Sequence, residues 1–249
     1  MKKQFLVILS IMFVNLYDAQ NFTSKGHPIG KFGDGVTDVD SNFYKTVIIG
    51  KQEWMAENLK VSRYNDGKEI LNVKSDKIWK QSVEGAWCYY ANDSVYNEKY
   101  GKLYNWFTVY GLTNGHRNVC PTGWHVPSYG EWTTLINFLG GASRAGNSLK
   151  EIDTTSWSGR PLDISPDKII WMKSSNSSTN TSLFTALPGG SGNGSYFSNI
   201  GWYGYFWTST STTDGNKTTI IYINGDVQEV YNKIDVNRYD GYSIRCLKD

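Results

Sequence analysis

Charge is scarce in this sequence and nearly balanced. Only 19% of the 249 residues are charged, with 25 Lys and Arg against 23 Asp and Glu. Net charge therefore implies no nucleic-acid partner and no anionic-lipid partner. Long apolar runs are missing too. Past the N-terminal stretch nothing approaches the roughly 18 consecutive apolar residues of a membrane-spanning helix, so no membrane span is expected. No G-x-S-x-G, Walker or H-E-x-x-H string occurs. The common hydrolase, nucleotide and zinc-protease signatures are thus absent. Ser165-Pro166-Asp167-Lys168 has S-x-x-K spacing, but its partner motifs S-D-N and K-T-G are missing, which leaves a chance match. Methionine is limited to four residues, whereas aromatics reach 15% and glycines number 25. That balance reads as an aromatic-rich, loop-rich, β-leaning domain and not a helical bundle.

The N-terminus has the order of a secretory signal peptide. Lys2 and Lys3 precede a short apolar run from Phe5 to Leu16, broken only by Ser10 and Asn15. Tyr17-Asp18-Ala19 then leads into Gln20-Asn21, which places cleavage after Ala19. No cysteine lies near that point to carry a lipid anchor. The expected destination is outside the cytoplasm: secreted, periplasmic or at the cell surface. Residues 1–19 are the signal, 20–33 a short polar leader, and 34–249 one large domain. The three cysteines are Cys88, Cys120 and Cys246. In an oxidising compartment one disulfide and one remaining thiol are expected, and spacing alone does not say which two pair.

Local patterns give a coarse order of elements. Asp34-Gly35 and Asp38 to Asn42 have turn chemistry, and Phe43 to Gly50 reads as a strand. Trp54 to Leu59 is a short packed segment, and Trp87 to Tyr90 a short aromatic strand. Leu103, Trp106, Phe107 and Tyr110 recur at helical spacing, with Gly111 as terminator. Ser128 and Glu131 form an S-x-x-E capping box ahead of Trp132, Leu135, Ile136 and Leu139. This predicts a helix over Tyr129 to Leu139, closed by Gly140-Gly141. Residues 173–182 form a polar low-complexity loop. Strands are expected at Thr218 to Ile223, Val227 to Tyr231 and Gly241 to Leu247. Asn224-Gly225 is a two-residue hairpin signal joining the first two.

Eight ordered segments then carry a family likeness. They are Val47 to Lys60 (VIIGKQEWMAENLK), Trp87-Cys88-Tyr89-Tyr90, Tyr100 to Trp106, Cys120 to Pro127 (CPTGWHVP), Glu131-Trp132, Phe184 to Gly190 (FTALPGG), Gly204 to Thr210 (GYFWTST) and Ser243 to Leu247 (SIRCL). Together they resemble the Fibrobacter succinogenes major paralogous domain across residues 34–249. The resemblance implies an α+β fold akin to the C-type-lectin-like and sulfatase-modifying, formylglycine-generating group: irregular, with two helices and twisted antiparallel sheets. Members occur in exported proteins of Bacteroidota and Fibrobacterota. The positions of Cys120 and Cys246 within the family motifs imply that these two pair. Cys88 is then left as a buried thiol, since residues 95–100 (VYNEKY) offer no partner.

The resemblance also frames what chemistry to look for. A formylglycine-generating activity needs two active-site cysteines close together, and only Cys246 stands in the C-terminal region. Iron-dependent relatives need a histidine cluster, and His27, His116 and His125 are few and scattered. Cys120 and His125 could be read as nucleophile and base, but the five-residue gap with Pro121 and Gly123 forces no contact, and a structural role is expected of both. Asp38-x-Asp40-x-Asn42 opens like a calcium loop, yet Phe43 and Ile49 stand where glycine and glutamate belong, so a turn is expected. No catalytic residue, metal site or cofactor is therefore assigned, while a structural cation held by backbone carbonyls and scattered carboxylates, which leaves no such string, stays open. The run Tyr196, Phe197, Trp202, Tyr203, Tyr205, Phe206, Trp207 keeps a binding reading, because aromatic faces stack on sugars and glycines allow close approach. Phe206 and Trp207 are expected in the core. Trp202, Tyr203 and Tyr205 are the candidate ligand contacts, with a polysaccharide or surface glycan as partner. A non-catalytic exported module for surface association or carbohydrate binding is the leading expectation. A structural or assembly role and an enzyme of unrecognised type are the alternatives.

Overall fold

The computed structural model describes residues 28–110, 114–152, 178–211 and 218–249. In chain order the first strands are β1 (Lys31–Phe32), β2 (Val36–Thr37), β3 (Phe43–Tyr44), β4 (Thr46–Ile49), β5 (Gln52–Met55), β6 (Leu71–Asn72), β7 (Ala86–Cys88), β8 (Leu103–Tyr104) and β9 (Trp124–His125). The rest are β10 (Gly189–Gly192), β11 (Phe197–Ile200), β12 (Tyr203–Ser211), β13 (Thr218–Asn224), β14 (Val230–Ile234) and β15 (Leu247–Lys248). The helices are α1 (Asp76–Gln81), α2 (Asn97–Tyr100), α3 (Trp106–Val109), α4 (Tyr129–Phe138) and α5 (Ala145–Leu149). The chain is thus α+β. One sheet runs β1-β4-β5-β15-β9 and a second β11-β10-β12-β13-β14, with a pair β2-β3 and a trio β6-β7-β8 beside them. Among the described residues no helix is long and apolar enough to cross a membrane.

The longest helix forms where its caps predict. Ser128 Oγ accepts from Glu131 N at 3.2 Å, and Glu131 Oε2 accepts from Ser128 N at 2.7 Å. Each side chain satisfies an amide that the first turn leaves without a partner. At the far end Gly141 N donates to Ile136 O at 2.9 Å, with Gly140 and Gly141 both at positive φ. Trp132, Leu135 and Ile136 are buried on the inner face. There Trp132 meets Trp54 at 4.8 Å, Phe184 at 5.6 Å and Phe206 at 5.5 Å between ring centroids. A second cluster gathers Tyr104, Trp106, Trp207 and Tyr242 with Cys120 and Cys246.

Between the clusters sits Arg245, fully buried. Its Nε donates to Asn58 Oδ1 at 2.8 Å, one terminal nitrogen donates to Phe184 O and to Met55 O at 3.4 Å, and the other donates to Thr185 O at 2.7 Å. The guanidinium also lies 4.5 Å from the Phe184 ring centre. Burial pushes its pKa down to about 9, against the pull of the Glu57 and Glu151 charges, so it stays ionised at neutral pH.

Several elements differ from the sequence expectation. The strand expected over Phe43 to Gly50 splits at Lys45, whose carbonyl turns to Ala56 N at 2.9 Å. The strand expected over Trp87 to Tyr90 ends at Cys88, because Ala91 and Asn92 take positive φ in a tight turn. The helix expected over Leu103 to Tyr110 shrinks to the single turn α3. Leu103 and Tyr104 pair instead with Cys88 and Trp87, and Asn105 caps the turn by accepting from Thr108 N at 3.2 Å. Gly111, read as its terminator, lies outside the described residues, as does Ser165 to Lys168. Of the polar loop 173–182 only the end is described. It is tied down rather than loose, with Thr179 N on Asn147 O at 2.9 Å and Ser182 fully buried. Lys31 and Phe32, read as leader, join the first sheet opposite Ile48 and Val47. Within Gly241 to Leu247 only the end forms a ladder, while Gly241, Tyr242 and Ser243 bridge singly to Gly192, Tyr104 and Phe206.

The hairpin after β13 exists, but its connection spans residues 224–229, since Ile223 faces Val230. Asn224 spends its side chain on a local turn, accepting from Asp226 N at 2.9 Å. The fully buried Lys150, just after α5, donates to the carbonyls of Val227 at 2.8 Å, Gly225 at 3.3 Å and Asn224 at 3.4 Å. Gly146 lets the loop approach, for a Cβ there would stand 2.6 Å from Gln228 O. A tertiary grip thus overrides the two-residue turn that Asn-Gly favours locally.

Candidate functional site

The sequence candidates fall on or beside β12. Alternation along a strand puts Tyr203, Tyr205 and Trp207 on one face and Gly204 and Phe206 on the other. Phe206 and Trp207 are fully buried, as expected of core residues. Trp207 Nε1 donates to Tyr104 O at 2.7 Å. Tyr203 and Tyr205 remain half-buried and stack on one another, with centroids 5.5 Å apart and planes 10° apart. Trp202 falls out of this alternation. It sits with Gly201, at φ +82°, in the turn that feeds the strand. Its backbone holds that turn, the amide donating to Asn199 O at 3.0 Å and the carbonyl accepting from Gly225 N at 2.9 Å.

The register brings in three tyrosines that sequence reading did not single out. Tyr222 of β13 lies opposite Tyr205, and Tyr231 of β14 lies opposite Tyr222. On the other flank of β12, Ser243 N donates to Tyr205 O at 3.2 Å, which sets Tyr242 beside Tyr205. The rings form a row across four neighbouring backbones. Tyr242 to Tyr205 is 5.1 Å, Tyr205 to Tyr222 is 6.0 Å and Tyr222 to Tyr231 is 5.1 Å between centroids. Tyr203 flanks the row, 6.2 Å from Tyr222. Exposure rises along it, from Tyr242 at 8% to Tyr231 at 39%. The signal that could have found these residues is the pairing of Tyr222 with Tyr231, which appears only once the long connection is known.

Polar groups are fixed around the rings. Asn199 Nδ2 donates to Tyr205 Oη at 3.1 Å, and Tyr242 Oη donates to Asp240 Oδ2 at 2.9 Å. Burial pushes the Tyr205 phenol up to about 12, with Tyr203 next in effect, and raises Tyr222 as well. The phenols are therefore neutral donors and acceptors at physiological pH. Burial also raises the Asp240 carboxyl, opposed by its hydrogen bond from Tyr242 and by the Lys233 charge.

The residues weighed for other chemistry are engaged elsewhere. Cys120 and Cys246 form a disulfide, with Cα atoms 5.9 Å apart, so Cys120 carries no thiolate. Cys88 is a buried free thiol, pushed up to about 12 by burial. His125 lies between two carboxylates, Nδ1 being 2.6 Å from Asp249 Oδ1 and Nε2 3.0 Å from Glu131 Oε1. Asp38 accepts from Asp40 N and Asn42 N, each at 2.9 Å, from Asn42 Nδ2 at 2.8 Å and from Tyr44 Oη at 2.6 Å. Asp40 accepts from Ser62 N and Arg63 Nε. Asp38 thus holds the turn, and Asp40 ties it to Ser62 and Arg63. Among the described residues no group of three or more His, Cys, Asp and Glu side chains is arranged to hold a metal ion.

No curated protein and no solved structure matches this chain. A family profile does: the Fibrobacter succinogenes major domain matches residues 47–248, a span that contains both aromatic clusters, the disulfide and the tyrosine row, and the chain belongs to that family.

Proposed function

We propose that this domain is an exported, non-catalytic carbohydrate-binding module whose ligand lies on the tyrosine row of β12, β13 and β14. The observation that carries the reading is the row itself. Tyr203, Tyr205, Tyr222 and Tyr231 keep ring surface in contact with solvent on one sheet face, and Asn199 supplies a polar group beside them. Aromatic surface with a few fixed polar groups is what a sugar needs: C–H faces for the rings and hydroxyls for the hydrogen bonds. The stacked pairs Tyr203–Tyr205 and Tyr222–Tyr231 turn faces toward each other, so a ligand meets ring edges, hydroxyls and the outer faces of the pairs, on side chains that lose little rotamer freedom when it lands. The mixed α+β arrangement accords with kinship to C-type-lectin-like and formylglycine-generating-enzyme folds, but recognition here uses rings and hydroxyls rather than a bound cation. The signal-like N-terminus and the Cys120–Cys246 bond support export. Mass spectrometry of the secreted protein is expected to find a start near Gln20, and a mature chain retaining Met1 would refute export.

The binding test uses Tyr231→Ala, because Tyr231 is the most exposed ring of the row and its loss leaves the core intact. On a polysaccharide that retains the wild type, the variant is expected to lose about 1–3 kcal/mol, or roughly 5- to 150-fold in affinity, by analogy with aromatic–base stacking. Chelator is expected to change nothing. Trp202→Ala reports whether the ligand reaches past the row onto the preceding turn. Retention that survives Tyr231→Ala and Tyr203→Ala but vanishes with chelator would replace this site with a cation site. A wild type that no polysaccharide retains would favour a structural or assembly role at the cell surface.

A further inference from the structure

The run of ring contacts does not stop at Tyr242. On its inner side Tyr242 meets Trp207 at 4.8 Å between centroids, and Trp207 meets Trp106 at 5.3 Å, both tryptophans being fully buried. On its outer side Tyr242 meets Tyr205 at 5.1 Å, followed by Tyr222 at 6.0 Å and Tyr231 at 5.1 Å. Indole and phenol are readily oxidised by one electron, as aliphatic side chains are not. A continuous run of such rings therefore reaches from the core to Tyr231, which is 39% exposed. Packing of ring against ring is what electron exchange needs, since electronic coupling falls steeply with separation.

The Tyr242 phenol has a partner that the other rings of the run lack. Its Oη donates to Asp240 Oδ2 at 2.9 Å, whereas Tyr205 Oη accepts, from Asn199 Nδ2 at 3.1 Å. A phenol that loses an electron becomes a strong acid and gives up its proton. A carboxylate already in hydrogen bond receives that proton with no movement of the chain. Burial raises the Asp240 carboxyl, which helps it keep the proton. Tyr44 also donates to a carboxylate, Asp38 Oδ2 at 2.6 Å, but among the described residues no ring contact links Tyr44 to the surface.

We propose that Tyr242 and Asp240 form a radical site, fed through the run of rings by one-electron oxidants at the surface. A carbonate-type radical takes an electron from Tyr231, and Tyr222, Tyr205 and finally Tyr242 refill the vacancy in turn. Each intermediate ring recovers its electron and its proton. The net change is that the oxidant gains one electron, Tyr242 loses one, and the Tyr242 proton passes to Asp240 Oδ2. A neutral phenoxyl then stands beside a neutral carboxyl. At 8% exposure that ring is shielded from coupling to a second radical, as a phenoxyl on Tyr231 is not. A crosslinking injury at the surface thus becomes a buried radical. A small reductant such as ascorbate erases it by returning one electron, while Asp240 returns the proton.

The test oxidises the full chain with flash-generated, oxidised ruthenium tris-bipyridine and follows the phenoxyl by freeze-quench paramagnetic resonance. The wild type is expected to hold the signal at least about tenfold longer than Tyr242→Phe, which removes the phenol and keeps the packing. Asp240→Asn leaves Tyr242 an acceptor but no base, and should shorten the signal as much. Tyr205→Phe severs the run where the outer tyrosines touch Tyr242, and should do the same. Each variant should also form more dityrosine between copies than the wild type. A wild-type lifetime in Tyr242→Phe and Asp240→Asn overturns the radical site, as does loss of the signal in Tyr44→Phe alone. A wild-type lifetime in Tyr205→Phe overturns the relay. Equal dityrosine in wild type and Tyr242→Phe overturns the protective effect. The relay needs no ligand, so none of these outcomes touches carbohydrate binding.

Discussion

Arg245→Met is expected to destabilise the domain by about 3–5 kcal/mol, a large part of the roughly 5–15 kcal/mol that holds a typical domain folded. The substitution keeps much of the volume and removes every donor of the fork. Phe184 O, Thr185 O, Met55 O and Asn58 Oδ1 then lose a partner, in a place with no room to readmit water easily. Each buried acceptor left without a donor costs about 1–3 kcal/mol, which outweighs the relief from no longer burying a charge. Arg245→Lys keeps the charge but has one nitrogen where the fork has three. It should recover only a minor part of the loss. Denaturant unfolding at pH 7 measures both variants. A methionine variant as stable as the wild type would show that desolvation of the guanidinium cancels its hydrogen bonds.

Removing the disulfide by Cys120→Ser together with Cys246→Ser should cost about 4–5 kcal/mol, because the bond closes a long loop in the unfolded chain. The two cysteines are 126 positions apart. For a domain of this size that corresponds to a fall in melting temperature of roughly 10–20 °C. The same fall is expected when the wild type is melted in reductant, while Cys88→Ala should respond to reductant as the wild type does. Equal melting temperatures with and without reductant would mean that the reduced chain keeps enough structure to forgo the crosslink.

Parts of this architecture were legible in the sequence because their causes are local. The capping box of Ser128 and Glu131, the terminating pair Gly140-Gly141 and the inward spacing of Trp132, Leu135 and Ile136 depend on a few neighbouring residues, and α4 forms where they place it. Phe206 and Trp207 were legible as core for a similar reason. The misses are places where distant contacts decide. Leu103 and Trp106 carry helical spacing, yet Leu103 is held by Cys88 across β7 and β8, and Asn105 prefers to cap. The tyrosine row was only half visible. Tyr203 and Tyr205 stand in one short segment, but Tyr222 meets Tyr231 only because Lys150 draws the 224–229 loop wide. A tight Asn-Gly turn would have set another residue there. The Gly-Trp-Tyr-Gly run reads as a turn, which holds for Trp202, whereas Tyr203 already opens β12 through its pairing with Asn224.

The Cys120–Cys246 bond also sets how the folded chain carries load. A pull applied to the chain past β15 reaches Cys246 directly through Leu247 and Lys248. From there it crosses the sulfurs directly to Cys120, at the foot of β9. Residues 121–245 are thereby bypassed by the covalent path, and of them β9 shares the load through its pairing with β15. Every ring of the tyrosine row, from Tyr203 to Tyr242, lies on the bypassed stretch. A domain tethered through the chain beyond β15 and dragged by flow would therefore carry its load around the tyrosine row, with the strain concentrated in β15 and its neighbours β5 and β9.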